Sequence, residues 1–319
     1  MIIDFHVHVL PPEDMPAFTG TGFHRNIRAP KSGGVPTTIE NALEAAKIGG
    51  VDITVISNPL HNLRDMDRQQ QLERCQRQNR FNAAQQAKHP SIVGMASTVP
   101  YGGDEFLREF ERAIKQDGLK GAWITSSLKG SYPDDDDAMP FFQLACELDV
   151  PVVIHPPSVG FGEERMREFR LASSVGRPFD ACLALARLIV NGVFEQFPKL
   201  KFVASHLGGG ICEIIGRMDY AYELRDDPYI LGPYGPPLHI TRKPSDYLRG
   251  IYFDTVCYHA PAVECAIKTV GADRLIFGTD SPMLVALKQR GLDLVRNLDL
   301  GAADKEKILS GTAKMLLKL

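Results

Sequence analysis

Residues 2–9 read IIDFHVHV, an apolar β-branched run in which Asp4, His6 and His8 alternate with Phe5, Val7 and Val9. Period-2 geometry sends His6 and His8 to one side of a strand. Seven further runs of the same kind follow, at residues 53–57, 92–97, 121–125, 150–155, 201–206, 251–256 and 275–280. Several are nearly continuous, such as VVI at 152–154 and LIFG at 275–278. Such runs mark strands buried on both faces of a parallel sheet.

Helical patterns lie between the runs. Thr37 and Glu40 form a capping-box pair, and Gly49 closes the helix they open. Phe106, Phe110, Ala113 and Ile114 share one helical face, as do Phe141, Leu144, Ala145 and Leu148. Alternation of strand and helix indicates an α/β protein. Eight such units indicate a single (β/α)8 TIM barrel, one domain over residues 1–319. Three stretches exceed a tight turn: 10–36, 156–180 and 220–249. All follow the C-terminal ends of strands, the face on which barrel active sites are built.

Composition narrows the function. The chain of 319 residues carries 36 Lys plus Arg against 39 Asp plus Glu, a net charge of −3. That balance gives no basic footprint for nucleic acid. No apolar run reaches the ~18 residues of a membrane span. The N-terminus has no basic leader and breaks at Pro11-Pro12, so no signal peptide is expected. The six cysteines form no CxxC pair, which suits reduced thiols in a cytoplasmic protein. The Asp run at 134–137 reads as a solvated loop entering a helix.

The chemistry gathers at strand ends. His155 closes VVIH, His206 closes FVASH, and Asp280 closes LIFGTD. A buried apolar strand that finishes in His or Asp is costly unless the polar group has a partner. Together with His6 and His8, these residues place five polar groups around one rim, the makings of a metal centre.

The motifs IIDFHVHVLP, VVIHPP, SHLGGG and IFGTDSP, in that order, resemble the amidohydrolase superfamily of metal-dependent (β/α)8 enzymes. NGVFEQFPKLKFVASHLGGG followed by GRMDYAYE is similar to one branch of it, that of aminocarboxymuconate-semialdehyde decarboxylase. Resorcylate and carboxyvanillate decarboxylases and oxalomesaconate hydratase share this branch. The closing KILSGTAKMLLKL also matches the branch, with Thr312 where Asn is usual. The resemblance implies metal ligands His6, His8, His155 and Asp280, with His206 as the catalytic histidine and Asp280 sharing in catalysis. It also implies a homodimer. Imidazole and carboxylate ligation suits one divalent ion, Zn²⁺ first and Mn²⁺ as its rival. Binuclear members carry a bridging lysine at the end of the fourth strand. Here that strand reads GAWITSS, between Lys120 and Lys129, so a single ion is expected.

Such a site permits more than one reaction. The reading is a non-oxidative decarboxylase of a small unsaturated or aromatic carboxylic acid. The alternatives are a hydrolase of an amide or lactone and, third, a hydratase of an unsaturated acid. Arginines crowd the three long loops, and an Arg fork matches a carboxylate. Arg28, Arg177 and Arg225 are the candidate substrate contacts. Ser173 stands where the aminocarboxymuconate enzyme has Trp, so a different acid is expected. Asp254 and His259 are weaker candidates for the pocket wall, and Trp123 reads as core or wall.

Overall fold

Nine short strands follow one another in the chain. They are β1 (Ile3–His8), β2 (Ile53–Ser57), β3 (Ile92–Gly94), β4 (Ala96–Ser97) and β5 (Ala122–Thr125), then β6 (Val152–His155), β7 (Phe202–Ala204), β8 (Tyr252–Asp254) and β9 (Leu275–Ile276). The structure, a computed structural model, describes residues 1–15, 37–58, 60, 63–157, 160–166, 168–227, 238–282 and 285–319. β3 and β4 are one strand broken at Met95, so the nine pieces fill the eight expected positions. All pairings are parallel and sequential. Backbone bonds also cross the seam between the first and last strands. Phe5 N–H donates to the Phe277 carbonyl at 2.9 Å and His8 N–H to that of Ser281 at 2.8 Å. Across the break at Met95, its N–H donates to Ile56 at 3.0 Å. The fold is a (β/α)8 barrel.

A helix follows each strand position: Ile39–Gly49, Arg68–Lys88, Asp104–Lys115, Met139–Leu148, Arg177–Val190, Ile211–Glu223, Ala260–Val270 and Val285–Asn297. The first is capped one residue later than the sequence suggests. Thr38, not Thr37, accepts the Asn41 N–H, at 3.2 Å, while the Thr37 carbonyl accepts from Leu10. A side chain caps best from extended backbone just before the helix, the conformation Thr38 adopts.

Two apolar layers result. Phe5, Met95, Trp123, Val153, Val203 and Ile276 fill the barrel, and Leu316 and Leu317 of the C-terminal helix Thr312–Leu317 join them. A second, larger layer packs the helices on the strands, with Phe110, Phe142 and Leu188 at its centre. Burying one such side chain contributes about 1.5–3 kcal/mol. Thr312 uses its hydroxyl locally, donating to the Asp273 carbonyl at 3.3 Å. No described helix is long and apolar enough to cross a membrane.

The strand that carries the two paired histidines is not regular. Ile3 and Phe5 face the barrel interior, yet Val7 and Val9 pack outward beside Ala42. The pairing with β2 shifts register between Asp4 and Val7. This bulge reverses the alternation, so Phe5 and then His6 and His8 face inward, while Asp4 faces out. Bulges re-aim side chains in this way beside functional sites.

Candidate metal centre

The inward turn of β1 brings His6 and His8 to the mouth of the barrel, with Nε2 atoms 3.0 Å apart. His155 ends β6 beside them, its ring centroid 5.1 Å from that of His6 and 4.9 Å from that of His8. Asp280 reaches in from beyond β9, with Oδ1 3.0 Å from His8 Nε2 and 3.5 Å from His6 Nε2. One donor atom from each of the four lies within 4.8 Å of the others, and the three imidazoles are buried. Among the described residues, the sequence-expected ligands thus converge.

The His6 and His155 rings are held from behind. Asp254 Oδ2 sits 2.6 Å from His6 Nδ1, which fixes the proton there and leaves the Nε2 lone pair toward the cluster. His155 Nδ1 donates to its neighbour's carbonyl at 2.8 Å, with the same effect. Imidazole lone pairs and a carboxylate, oriented on one point, form a donor set that fits a divalent ion.

The electrostatics agree with that geometry. Burial disfavours charge on His6, but the Asp254 carboxylate overrides it and raises the pKa above 6.5. Burial wins at His8 and lowers it. Burial alone would raise Asp280, but His206 and His8 hold its carboxyl well below the usual carboxylate range.

His206 and Asp280 lie just past their strands rather than in them, both in left-handed backbone with φ of 51° and 55°. Non-glycine residues there carry strain that tertiary structure must hold. The glycines after His206 do that work. A Cβ on Gly209 would fall 1.8 Å from the Pro178 carbonyl oxygen, and one on Gly208 would fall 2.7 Å from the Phe253 ring. Their smallness admits the start of the helix Arg177–Val190 and an aromatic ring. His206 is then steadied by Ser205 Oγ, 3.1 Å from its Nδ1, while its Nε2 lies 3.7 Å from Asp280 Oδ2.

A cavity of about 390 Å³ opens above the cluster, lined by His206, Asp280, Arg177, Glu213, Cys257 and Tyr258 among others. Arg177 is the cation on this wall among the described residues. Burial lowers its pKa against the pull of Asp280, and its buried Nε meets no acceptor among the described residues. Burial pushes the Cys257 thiol up to about 11, too high for a nucleophile at neutral pH. The Tyr258 phenol is raised likewise and donates to the Thr279 carbonyl at 2.9 Å.

The other substrate candidates fare differently. Arg28 lies outside the described residues. Arg225 is not brought to the cavity. It follows the helix Ile211–Glu223, whose length carries it about 20 Å from the glycine loop. There it lies over the Tyr222 ring and donates to that residue's carbonyl at 2.8 Å. The stretch 220–249 therefore begins inside this helix rather than at a strand end, and its arginine is spent on the helix C-terminus.

Two residues do more than their sequence context signals. Asp254, weighed as pocket wall, instead holds His6 and accepts the backbone N–H of Leu207 and Val256. Asp180, fully buried, accepts from Ser126, Ser127, Tyr132 and the Phe161 N–H. It ties the loop after β5 to the one after β6, one turn from Arg177. Trp123, the sole tryptophan, lies beneath the cluster, 5.1 Å from the His6 ring.

The family profile described as amidohydrolase matches residues 3–319. The chain is 28% identical over 229 residues to a 2-amino-3-carboxymuconate-6-semialdehyde decarboxylase of Dictyostelium discoideum, covering 72% of this chain and 61% of that one. It is 27% identical over 259 residues to a gamma-resorcylate decarboxylase of Polaromonas, covering 77% of each. Among solved structures, 5-carboxyvanillate decarboxylase from Sphingomonas paucimobilis superposes with a TM-score of 0.86 at 21% identity, over 100% of this chain and 99% of that one. A Polaromonas dihydroxybenzoic acid decarboxylase, solved with manganese and 2-nitroresorcinol, gives 0.80 at 23%, over 100% and 97%.

Proposed function

The chain belongs to the amidohydrolase family, and from that membership we propose a metal-dependent, non-oxidative decarboxylase of a small aromatic or unsaturated carboxylic acid. The observation that carries this reading is the cluster of His6, His8, His155 and Asp280 opening onto a cavity walled by His206 and Arg177. The relatives named above are decarboxylases and support the choice of reaction.

In this reading His6, His8, His155 and Asp280 hold one divalent ion. When bound, the ion supplies a Lewis acid that polarises a substrate oxygen. Arg177 offers a partly desolvated fork to the substrate's carboxylate or an adjoining oxygen, where a charged hydrogen bond is strong. Decarboxylation breaks a C–C bond and leaves its electron pair on carbon, so that carbon must gain a proton. His206, with Asp280 3.7 Å from its Nε2, is placed to hold and deliver that proton. The thiol and phenol on the wall stay protonated and shape the cavity.

One ion rather than two is supported by the strand next to β6. Thr125 pairs with His155 in register, where a bridging lysine would have to stand, and its hydroxyl donates to Ser127. Zn²⁺ fits the nitrogen-rich set, and manganese in the dihydroxybenzoic acid decarboxylase favours Mn²⁺. Elemental analysis of the purified protein separates them. We assign the chain one domain, a homodimeric state and a cytoplasmic location, the last supported by six free thiols.

The test is direct. Metal-loaded protein is offered dihydroxybenzoates, carboxyvanillate, carboxymuconates and lactones, with CO₂ release and ultraviolet loss followed together. Release of CO₂ from one of the acids is the expected result. Turnover of a lactone or amide alone refutes the decarboxylase.

A further inference from the structure

Lys288 is a fully buried lysine that the proposed chemistry does not use. It projects from the helix Val285–Asn297 and is 1% exposed. Its stem passes Gly49, the last residue of the helix Ile39–Gly49. A Cβ there would lie 2.6 Å from Lys288 Cδ and 2.7 Å from Cγ, so only glycine leaves the path open. At the end of that path Nζ meets Asp4 Oδ2 at 3.1 Å, on a carboxylate with no solvent exposure.

Asp4 is a junction rather than a simple partner. It sits at the bulge of β1, facing away from the barrel interior. Its Oδ1 accepts the His6 backbone N–H at 3.3 Å, and its Oδ2 accepts the Thr279 hydroxyl at 2.6 Å. Thr279 immediately precedes Asp280 and, through its carbonyl, holds Tyr258. One carboxylate therefore grips the backbone of one candidate ligand and the residue before another. Asp4 and Thr279 are 275 positions apart.

A buried ion pair is a poor source of stability, because desolvation offsets most of the attraction. In some proteins such a pair serves instead to fix one arrangement. An unpaired carboxylate at the junction would draw in water or shift toward another donor, and the bulge and the Asp280 loop would move with it.

We propose that Lys288 is a positioning residue for the metal centre. By neutralising Asp4 through the gap at Gly49, it sets the spacing between the His6–His8 strand and Asp280. The inference rests on reading His6, His8, His155 and Asp280 as metal ligands.

The experiment measures Mn²⁺ and Zn²⁺ dissociation constants of the metal-stripped full chain by chelator competition, with circular dichroism confirming folding. Lys288→Met is expected to weaken binding about 10- to 100-fold, the usual cost of losing an outer support of a metal site. Thr279→Val, which leaves both charges in place, is expected to shift binding in the same direction. Arg187→Met breaks the Arg187–Asp134 pair elsewhere on the barrel, at 2.7 Å, and is expected to leave metal binding unchanged. A folded Lys288→Met protein that binds metal as tightly as the unaltered chain overturns the proposal. Should that variant not fold, unchanged binding by Thr279→Val overturns it instead. If the unaltered chain binds neither ion, the metal reading itself fails, a result distinct from either.

Discussion

Asp254 Oδ2 stands 2.6 Å from His6 Nδ1, a carboxylate at the end of β8 orienting an imidazole on β1, two strand positions away. The pair fixes which nitrogen of His6 faces the cluster. Asp254→Ala is expected to weaken metal binding about 10- to 100-fold. Asp254→Asn, which keeps an acceptor but not the charge, is expected to fall between. Chelator competition measures both.

His206 touches the cavity but is not among the converging donors. His206→Asn is therefore expected to retain its metal while kcat drops about 10²- to 10⁴-fold. Metal content and turnover measured on one preparation decide the point. Full activity in that variant refutes the proton-delivery role.

The two arginines make a matched comparison. Arg177→Met removes the guanidinium from the cavity wall and is expected to raise KM about 10- to 100-fold, the worth of one charged hydrogen bond. Arg225→Ala, at the far end of its helix, is expected to leave KM unchanged. Steady-state kinetics on the same acid checks both.

The histidines also give the metal-free protein a pH signature. His6 is raised above 6.5 in the fold, so its stabilising contribution is complete below 6.5 and is lost as pH rises through the higher folded value. His8 is lowered from 6.5, so its penalty appears as pH falls below 6.5, when the unfolded chain takes up a proton the fold resists. The depressed Asp280 adds stability above 3.8 that disappears as pH falls through its folded value. Metal binding must displace the His6 proton and so tightens as pH rises. The gap in Tm between metal-loaded and metal-free protein is expected to widen as pH rises above 6.5. Thermal melts across that range show it, and a constant gap contradicts it.

The glycine loop sets a steric limit. Gly209→Ala would place Cβ 1.8 Å from Pro178 O at a φ of +63°, and is expected to cost at least about 3 kcal/mol. Gly216→Ala, inside the helix Ile211–Glu223, meets nothing within 4 Å and is expected to stabilise by up to about 1 kcal/mol. Urea midpoints compare them.

Much of this site is legible in the chain. Strands buried on both faces need apolar runs, so each polar terminus stands out, and His6, His8, His155 and Asp280 are visible as strand-end exceptions. Resemblance to a family is what adds a catalytic role for His206 as an expectation. What sequence does not display is side-chain traffic between distant segments. Asp254 and His6 are 248 positions apart, and nothing in YFDT announces their pairing. The alternation in IIDFHVHV puts Asp4 on the face of His6. Only the pairing of β1 with β2 inserts the bulge that parts them. Lys288 reads as the polar face of a helix, because the gap it enters is made by Gly49 on another helix. Arg225 shows the converse error, since nearness in sequence to a loop says nothing of which way the intervening helix runs.

Trp123 has one consequence outside catalysis. It is the only indole in the chain, and its ring lies 5.1, 5.8 and 5.9 Å from those of His6, His8 and His155. The indole emission of the protein, as distinct from that of its nine tyrosines, therefore comes from directly beneath the cluster. A paramagnetic ion such as Mn²⁺ seated there would quench it and closed-shell Zn²⁺ would not, so the protein carries a built-in optical gauge of its own occupancy.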